Sequence, residues 1–103
     1  MIKINGIKWR VLGVSPFDSS LKKENGDYAL GMCDNRVKTI YINNDLNDYY
    51  FKKVLAHELT HAAMFSYRIH LNYYQEEVIA DIIATYGEEV IDKTNFIFYR
   101  FRK

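Results

Sequence analysis

The segment VLAHELTHAA, residues 54–63, is the part of the sequence that most constrains the fold. It carries two of the chain's three histidines and a glutamate inside an otherwise apolar run. Apolar residues recur at helical spacing around it and capping side chains precede it, so we predict a helix from about Tyr49 to about Tyr67. Ionisable groups buried in such a helix are costly unless they have partners. His57, Glu58 and His61 therefore indicate a site rather than ordinary core packing.

The spacing of these three residues is the HExxH arrangement of zinc sites. His57 and His61 are four residues apart, so their rings lie about one turn apart on one helix face and can bind the same Zn²⁺ ion. Glu58 is rotated by about 100° from His57 and does not ligate. It is placed to act as general base toward a zinc-bound water that attacks a carbonyl. The motif therefore favours hydrolysis of an amide or peptide bond.

A catalytic zinc site usually needs a third protein ligand. A metzincin would have a glycine three residues and a histidine six residues beyond His61, but those positions are Met64 and Tyr67. His70 is a possible ligand only where the helix ends before it and the chain turns back. The acidic pair Glu77 and Asp81 is the better candidate, since a second helix is predicted from about Tyr74 to about Asp92.

Glu77 and Asp81 are four residues apart and share one face of that helix. Glu77 can complete a His-His-Glu zinc site, and Asp81 can accept a hydrogen bond from the second ring nitrogen of a ligand histidine. Glu76 points about 100° away and is expected to be solvated. Acidic residues near a helix start are also favoured by the helix dipole and need no function, so that alternative stays open.

The combination His57-Glu58-x-x-His61 with Glu77-x-x-x-Asp81 is similar to the gluzincin metallopeptidases. The small size, the β-rich first half and the wording EVIAD resemble the ImmA/IrrE-like peptidases and the minimal gluzincins of bacterial phages and mobile elements, over roughly residues 28–92. The resemblance implies zinc-dependent proteolysis, often of a regulatory protein. It makes His57, His61 and Glu77 the ligands, Glu58 the base and Asp81 the carboxylate behind a ligand. No fixed motif identifies an oxyanion-stabilising group; the candidates are Tyr73, Tyr74, Tyr86 and His70.

The first part of the chain is predicted to be β-rich. Asn5-Gly6 separates two alternating runs and favours a tight hairpin, and a loop follows from Ser15 to Asp27. Two further strands are predicted at Tyr28–Met32 and Val37–Ile42. The expected fold is α+β, a small antiparallel sheet of about three strands beside the two helices. The tail NFIFYRFRK is compatible with a strand, a short packed helix or a contact arm.

Length and composition limit the other possibilities. The 103 residues fit one domain, and a net charge of +1 gives no electrostatic indication of a nucleic-acid partner. The single Cys33 excludes an internal disulfide and fits a reducing cytoplasm. No signal peptide or membrane span is recognisable, so we expect a cytoplasmic protein whose mature chain is the whole chain.

Three functions are consistent with these features. The first is a zinc peptidase with a protein or peptide substrate, in which an exposed strand such as Val37–Ile42 pairs with the substrate backbone. The second is an interaction or regulatory protein that keeps zinc for stability without cleaving its partner. The third is a zinc hydrolase acting on a non-peptide amide.

Overall fold

The computed structural model describes residues 1–102, which form a mixed sheet covered by two helices. The strands are β1 (Ile2–Ile4), β2 (Ile7–Val14), β3 (Gly31–Asp34) and β4 (Thr39–Asn43). A 3₁₀ turn occupies Ser19–Leu21, and the helices are α1 (Asp48–Ser66) and α2 (Tyr73–Phe101). The α+β class predicted from the sequence is confirmed.

The strand order β1-β2-β4-β3 differs from the expected antiparallel sheet. Strands β1 and β2 are antiparallel, as are β3 and β4, but β2 and β4 pair in parallel. The expected Asn5-Gly6 hairpin is confirmed, with both residues at positive φ. Strand β4 lies between two neighbours and is almost fully buried, so it cannot pair with a substrate. The proposed role of Val37–Ile42 is therefore wrong, and β3 is the edge strand nearest the helices.

Helix α1 is packed between the sheet and α2, which explains why its sequence reads as core. Trp9 and Ile40 from the sheet are fully buried against Ala62 of the helix. The Trp9 indole donates a hydrogen bond of 2.8 Å to the Ser66 hydroxyl, and the Asn5 amide donates one of 2.9 Å to the Ser66 carbonyl. These bonds attach the end of α1 to the first hairpin and fix its angle across the sheet.

Both helices begin at asparagine caps. Asn47 accepts a hydrogen bond from the Tyr50 amide at the start of α1, and Asn72 forms a reciprocal capping box with Gln75 at the start of α2. The second cap fixes where α2 begins and therefore which of its residues face α1.

Helix α2 continues nine residues beyond the predicted end at Asp92. The tail is thus neither a strand nor a separate packed helix. Its aromatic, β-branched residues favour β structure locally, but an established helix extends at little cost because each added residue gains a hydrogen bond. Within the described residues, neither helix is apolar enough over a sufficient length to span a membrane.

Candidate metal centre

His57 and His61 direct one ring nitrogen each toward Glu77. The Nε2 atoms of the two rings are 3.2 Å apart. The Glu77 carboxylate bridges them, with Oε2 3.3 Å from His57 Nε2 and Oε1 2.8 Å from His61 Nε2. Helix α1 supplies both histidines at the spacing of one turn, and α2 supplies the carboxylate from its second turn. Two helices thus bring three potential ligands to one point.

The second nitrogen of each ring contacts a carboxylate on the other side. His57 Nδ1 is 2.9 Å from Asp81 Oδ1, and His61 Nδ1 is 2.6 Å from Glu76 Oε1. An ionised carboxylate only accepts hydrogen bonds, so each Nδ1 carries a proton and donates it. In a neutral ring the Nε2 atom then presents a lone pair. Both Nε2 atoms point toward Glu77, so a cation bound between them would accept the lone pair of each ring.

The separations among these donor atoms fit a small divalent cation. With Zn–N distances of about 2.0–2.1 Å, neighbouring ligands in a tetrahedral site are about 3.3 Å apart. The two Nε2 atoms are 3.2 Å apart, close to this value, and each of them lies near a different oxygen of Glu77, at 3.3 Å for His57 and 2.8 Å for His61. The donor set, two imidazoles and one carboxylate, is also one that zinc accepts. His57, His61 and Glu77 are therefore a candidate His₂Glu metal site.

Glu58 lies beside this cluster but faces the sheet. Its side chain is nearly buried, with 8% of the residue exposed. Burial raises the pKa of the Glu58 carboxyl, Glu77 raises it further, and His57 and His61 act in the opposite direction. A carboxylate with a raised pKa holds a transferred proton more firmly, which suits a group that accepts one and later returns it.

Edge strand β3 approaches Glu58 closely because it begins with a glycine. A Cβ atom built on Gly31 would lie 2.6 Å from Val54 Cγ1 and 3.0 Å from Glu58 Cγ. Any other residue would therefore require the side chains of Val54 and Glu58 to shift, or β3 and α1 to move apart. The strand and the helix form the two walls of a cleft.

The cleft extends to both sides of Glu58. A cavity of about 560 Å³ lies between β3 and the first turns of α2, and one of about 340 Å³ lies beside Val54 and Asp81. Gly31, His57 and Glu58 line both cavities. The arrangement can hold an extended chain that passes over Glu58, with several residues on each side.

Sequence comparison agrees with this geometry. The family model of the IrrE N-terminal-like domain, peptidase M78, matches residues 10–98, most of the chain. The chain belongs to the M78 peptidase family. The resemblance inferred from the sequence is thereby confirmed, and M78 is a zinc metallopeptidase family. No curated protein and no solved structure matches the chain.

The structure of this M78 domain brings His57, His61, Glu77 and Asp81 together, with Glu58 beside them. One contact of this centre was not predicted from the sequence. Glu76 was expected to be solvated, and this is wrong: its side chain is only 18% exposed and contacts His61. The Asn72 cap fixes where α2 begins, but the contact of Glu76 with His61 depends on how α2 packs over α1, which no local signal in the sequence shows.

The structure separates the four candidate oxyanion-stabilising residues of the M78 domain. Tyr73 lines the larger cavity of the cleft, whereas Tyr86 lines a different groove, and Tyr74 and His70 are exposed. Cys33 also lines the larger cavity, but burial and the nearby Glu58 raise the pKa of its thiol to about 12. A thiol that stays protonated at neutral pH is a poor nucleophile.

The Glu76 contact gives a testable consequence for the M78 domain. Glu76→Ala is expected to weaken zinc binding by about 10- to 100-fold, because His61 loses the acceptor that orients its ring. Zinc affinity is measured by competition with a chromophoric chelator. Glu76→Gln is the matched control, since its amide oxygen still accepts the Nδ1 hydrogen bond, and it is expected to keep most of the affinity. Unchanged affinity in Glu76→Ala would show that the contact does not orient His61.

Proposed function

We propose that this domain is a zinc-dependent peptidase that hydrolyses peptide bonds of a protein substrate. The observation that carries the proposal is the convergence of two imidazole Nε2 atoms and the Glu77 carboxylate on one point, since a cation between them would be bound by all three groups. Glu58 lies beside that point and lines both cavities of the cleft, which favours hydrolysis over a purely structural metal. Membership of the M78 family supports the same activity.

The residues of the site have different roles in the proposed reaction. His57, His61 and Glu77 hold the metal, while Asp81 and Glu76 fix the orientation of the two rings. Bound zinc supplies a Lewis acid that lowers the pKa of water and polarises a carbonyl. Glu58 accepts the proton of the attacking water and delivers it to the nitrogen of the leaving amine. Tyr73, at the rim of the larger cavity, is the candidate donor to the developing oxyanion.

Strand β3 is the proposed docking edge for the substrate. It lies at the edge of the sheet, and its first residues line the cavity that contains His57, Glu58 and His61. An extended peptide added to this edge gains main-chain hydrogen bonds, which provide affinity with little sequence preference. Substrate choice then depends on side chains in the two cavities.

Metal content of purified protein tests the proposal. Wild type is expected to bind one zinc per chain by elemental analysis, and Glu77→Ala is expected to lose it because two imidazoles alone bind the ion weakly. Glu58→Gln is expected to keep zinc, since Glu58 is not a ligand. Glu24→Ala, which removes an exposed carboxylate from a loop, is the control for the loss of one negative charge.

The opposite result is equally clear. Wild type without stoichiometric zinc, even after zinc has been supplied and free metal removed, would reject the zinc-peptidase proposal. Zinc retained in Glu77→Ala but lost in Glu58→Gln would exchange the proposed roles of the two glutamates.

A further inference from the structure

The last four turns of α2 form an exposed segment. Every residue from Glu88 to Arg102 is exposed. At about 1.5 Å per residue this segment is about 22 Å long. Its large apolar side chains are open to solvent, with 59% of Val90, 51% of Ile97 and 83% of Phe101 exposed. A helix of this length is marginal in water unless one of its faces is buried.

One stripe of the helix, from Ile83 to Phe101, follows a seven-residue repeat, whereas other exposed aromatic side chains such as Phe96 and Tyr99 lie outside it. Ile83, Val90 and Ile97 are spaced by seven, and so are Gly87, Thr94 and Phe101, four residues after each of them. A heptad repeat of this kind is the seam of paired helices. The stripe is therefore expected to lie against another helix.

The side chains beside the stripe change from mostly acidic to basic along the helix. Glu88, Glu89 and Asp92 lie before Thr94, together with one basic residue, Lys93, whereas Arg100 and Arg102 lie after it. Two copies paired in parallel would place like charges together. Two copies paired antiparallel place the acidic half of each against the basic half of the other, which is favourable for association.

In the antiparallel arrangement, charged residues on each side of the stripe also face residues of opposite charge on the other copy. Glu89 precedes Val90 and Arg100 precedes Phe101, so both flank the stripe on one side. With Thr94 at the two-fold axis, Glu89 of one copy lies near Arg100 of the other. On the other side of the stripe, Glu88 of one copy lies near Arg102 of the other. Glu88 also forms an ion pair with Lys52 of its own chain, at 3.0 Å.

Shape complementarity follows the same register. Gly87 of one copy lies opposite Phe101 of the other, where the missing side chain leaves space for the ring. A groove of about 860 Å³ surrounds that glycine, between the start of α1 and the middle of α2. Tyr49 and Ala56 line it from α1, and Ile83 and Val90 line it from α2.

We propose that the exposed stripe of α2 binds a second copy of this chain as an antiparallel, two-fold symmetric helix pair. The end of each α2 lies in the groove of the other copy, and Thr94 lies at the centre. The interface includes none of the three candidate metal ligands His57, His61 and Glu77, so each copy keeps its own metal centre. The proposal is independent of the peptidase activity.

Sedimentation equilibrium of the full chain tests this pairing. Wild type is expected to give twice the chain mass of 12.2 kDa at high micromolar concentration. Ile97→Asp is expected to be monomeric because a charge then lies in the seam. Tyr99→Asp is the matched control, because Tyr99 lies off the stripe and is 65% exposed. Circular dichroism and the metal content show whether each variant is folded.

Charge reversal tests the orientation. Glu89→Arg and Arg100→Glu are each expected to weaken the dimer about tenfold or more, because each brings like charges together. The double variant restores the opposite pairing and is expected to recover wild-type association. Single reversals without effect, or a dimer that survives Ile97→Asp, would overturn the proposal. So would a wild-type monomer, including one that binds anionic lipid vesicles through this helix.

Discussion

Glu58→Gln is expected to lose peptidase activity by about 10²- to 10⁴-fold while keeping its fold and its zinc. Glutamine occupies nearly the same volume, but its amide cannot accept the proton of the attacking water. The measurement is cleavage of a peptide library, followed by mass spectrometry, with wild-type and variant protein at equal zinc content. The loss should appear in kcat rather than in KM, because Glu58 acts on the reacting atoms and not on substrate binding.

The same variant separates the peptidase from the interaction protein. A protein that uses zinc only for stability would keep its partner binding in Glu58→Gln, and wild type would cleave nothing. A hydrolase of non-peptide amides would show the expected loss, but on a panel of small amides instead of peptides. Equal peptide cleavage by wild type and Glu58→Gln would reject Glu58 as the base.

Gly31→Ala is expected to reduce both stability and activity. Its Cβ would lie 2.6 Å from Val54 Cγ1 and 3.0 Å from Glu58 Cγ, so the strand or the helix must move. Overpacking of this kind costs about 1–3 kcal/mol of the free energy of unfolding. A shift of about 1 Å at a catalytic group can reduce the rate by about 100-fold. Thermal unfolding and the cleavage assay measure the two effects.

Gly13→Ala is the matched control for that experiment. Gly13 also lies in a strand and has ordinary φ, but its added Cβ would meet only Asn44 Cβ, at 3.4 Å. The change is therefore expected to be tolerated, with activity close to wild type. Similar losses in both variants would mean that any strand glycine is needed. Unchanged activity in a folded Gly31→Ala variant would show that the cleft is wider in solution.

The residues of the metal cluster could be predicted because they belong to two helices. Within one helix the geometry follows from sequence spacing alone, so His57 and His61 had to share a face, as did Glu77 and Asp81. Imidazole nitrogens and carboxylate oxygens are groups that zinc accepts, so both pairs could be assigned to a metal site. The hairpin at Asn5-Gly6 was predictable for a similar reason, since its turn depends on two adjacent residues.

The sequence alone left the relations between elements undetermined. The parallel pairing of β2 with β4 joins strands that are far apart in the chain, and it makes β3 the strand beside the cleft. No local pattern distinguishes that order from an antiparallel sheet. The end of α2 was missed because local propensity favours β structure there, while helix extension depends on the preceding residues.

Local spacing therefore determined which side chains can act together, and tertiary packing decided how they meet. The sequence by itself placed His57, Glu58 and His61 on one helix and Glu77 on another, because helical periodicity is a property of the backbone. Only the packing of α2 over α1 brought Glu76 to His61, at 2.6 Å. Only the approach of β3 to α1 gave Gly31 its importance, because the distance between separate elements depends on every side chain packed between them.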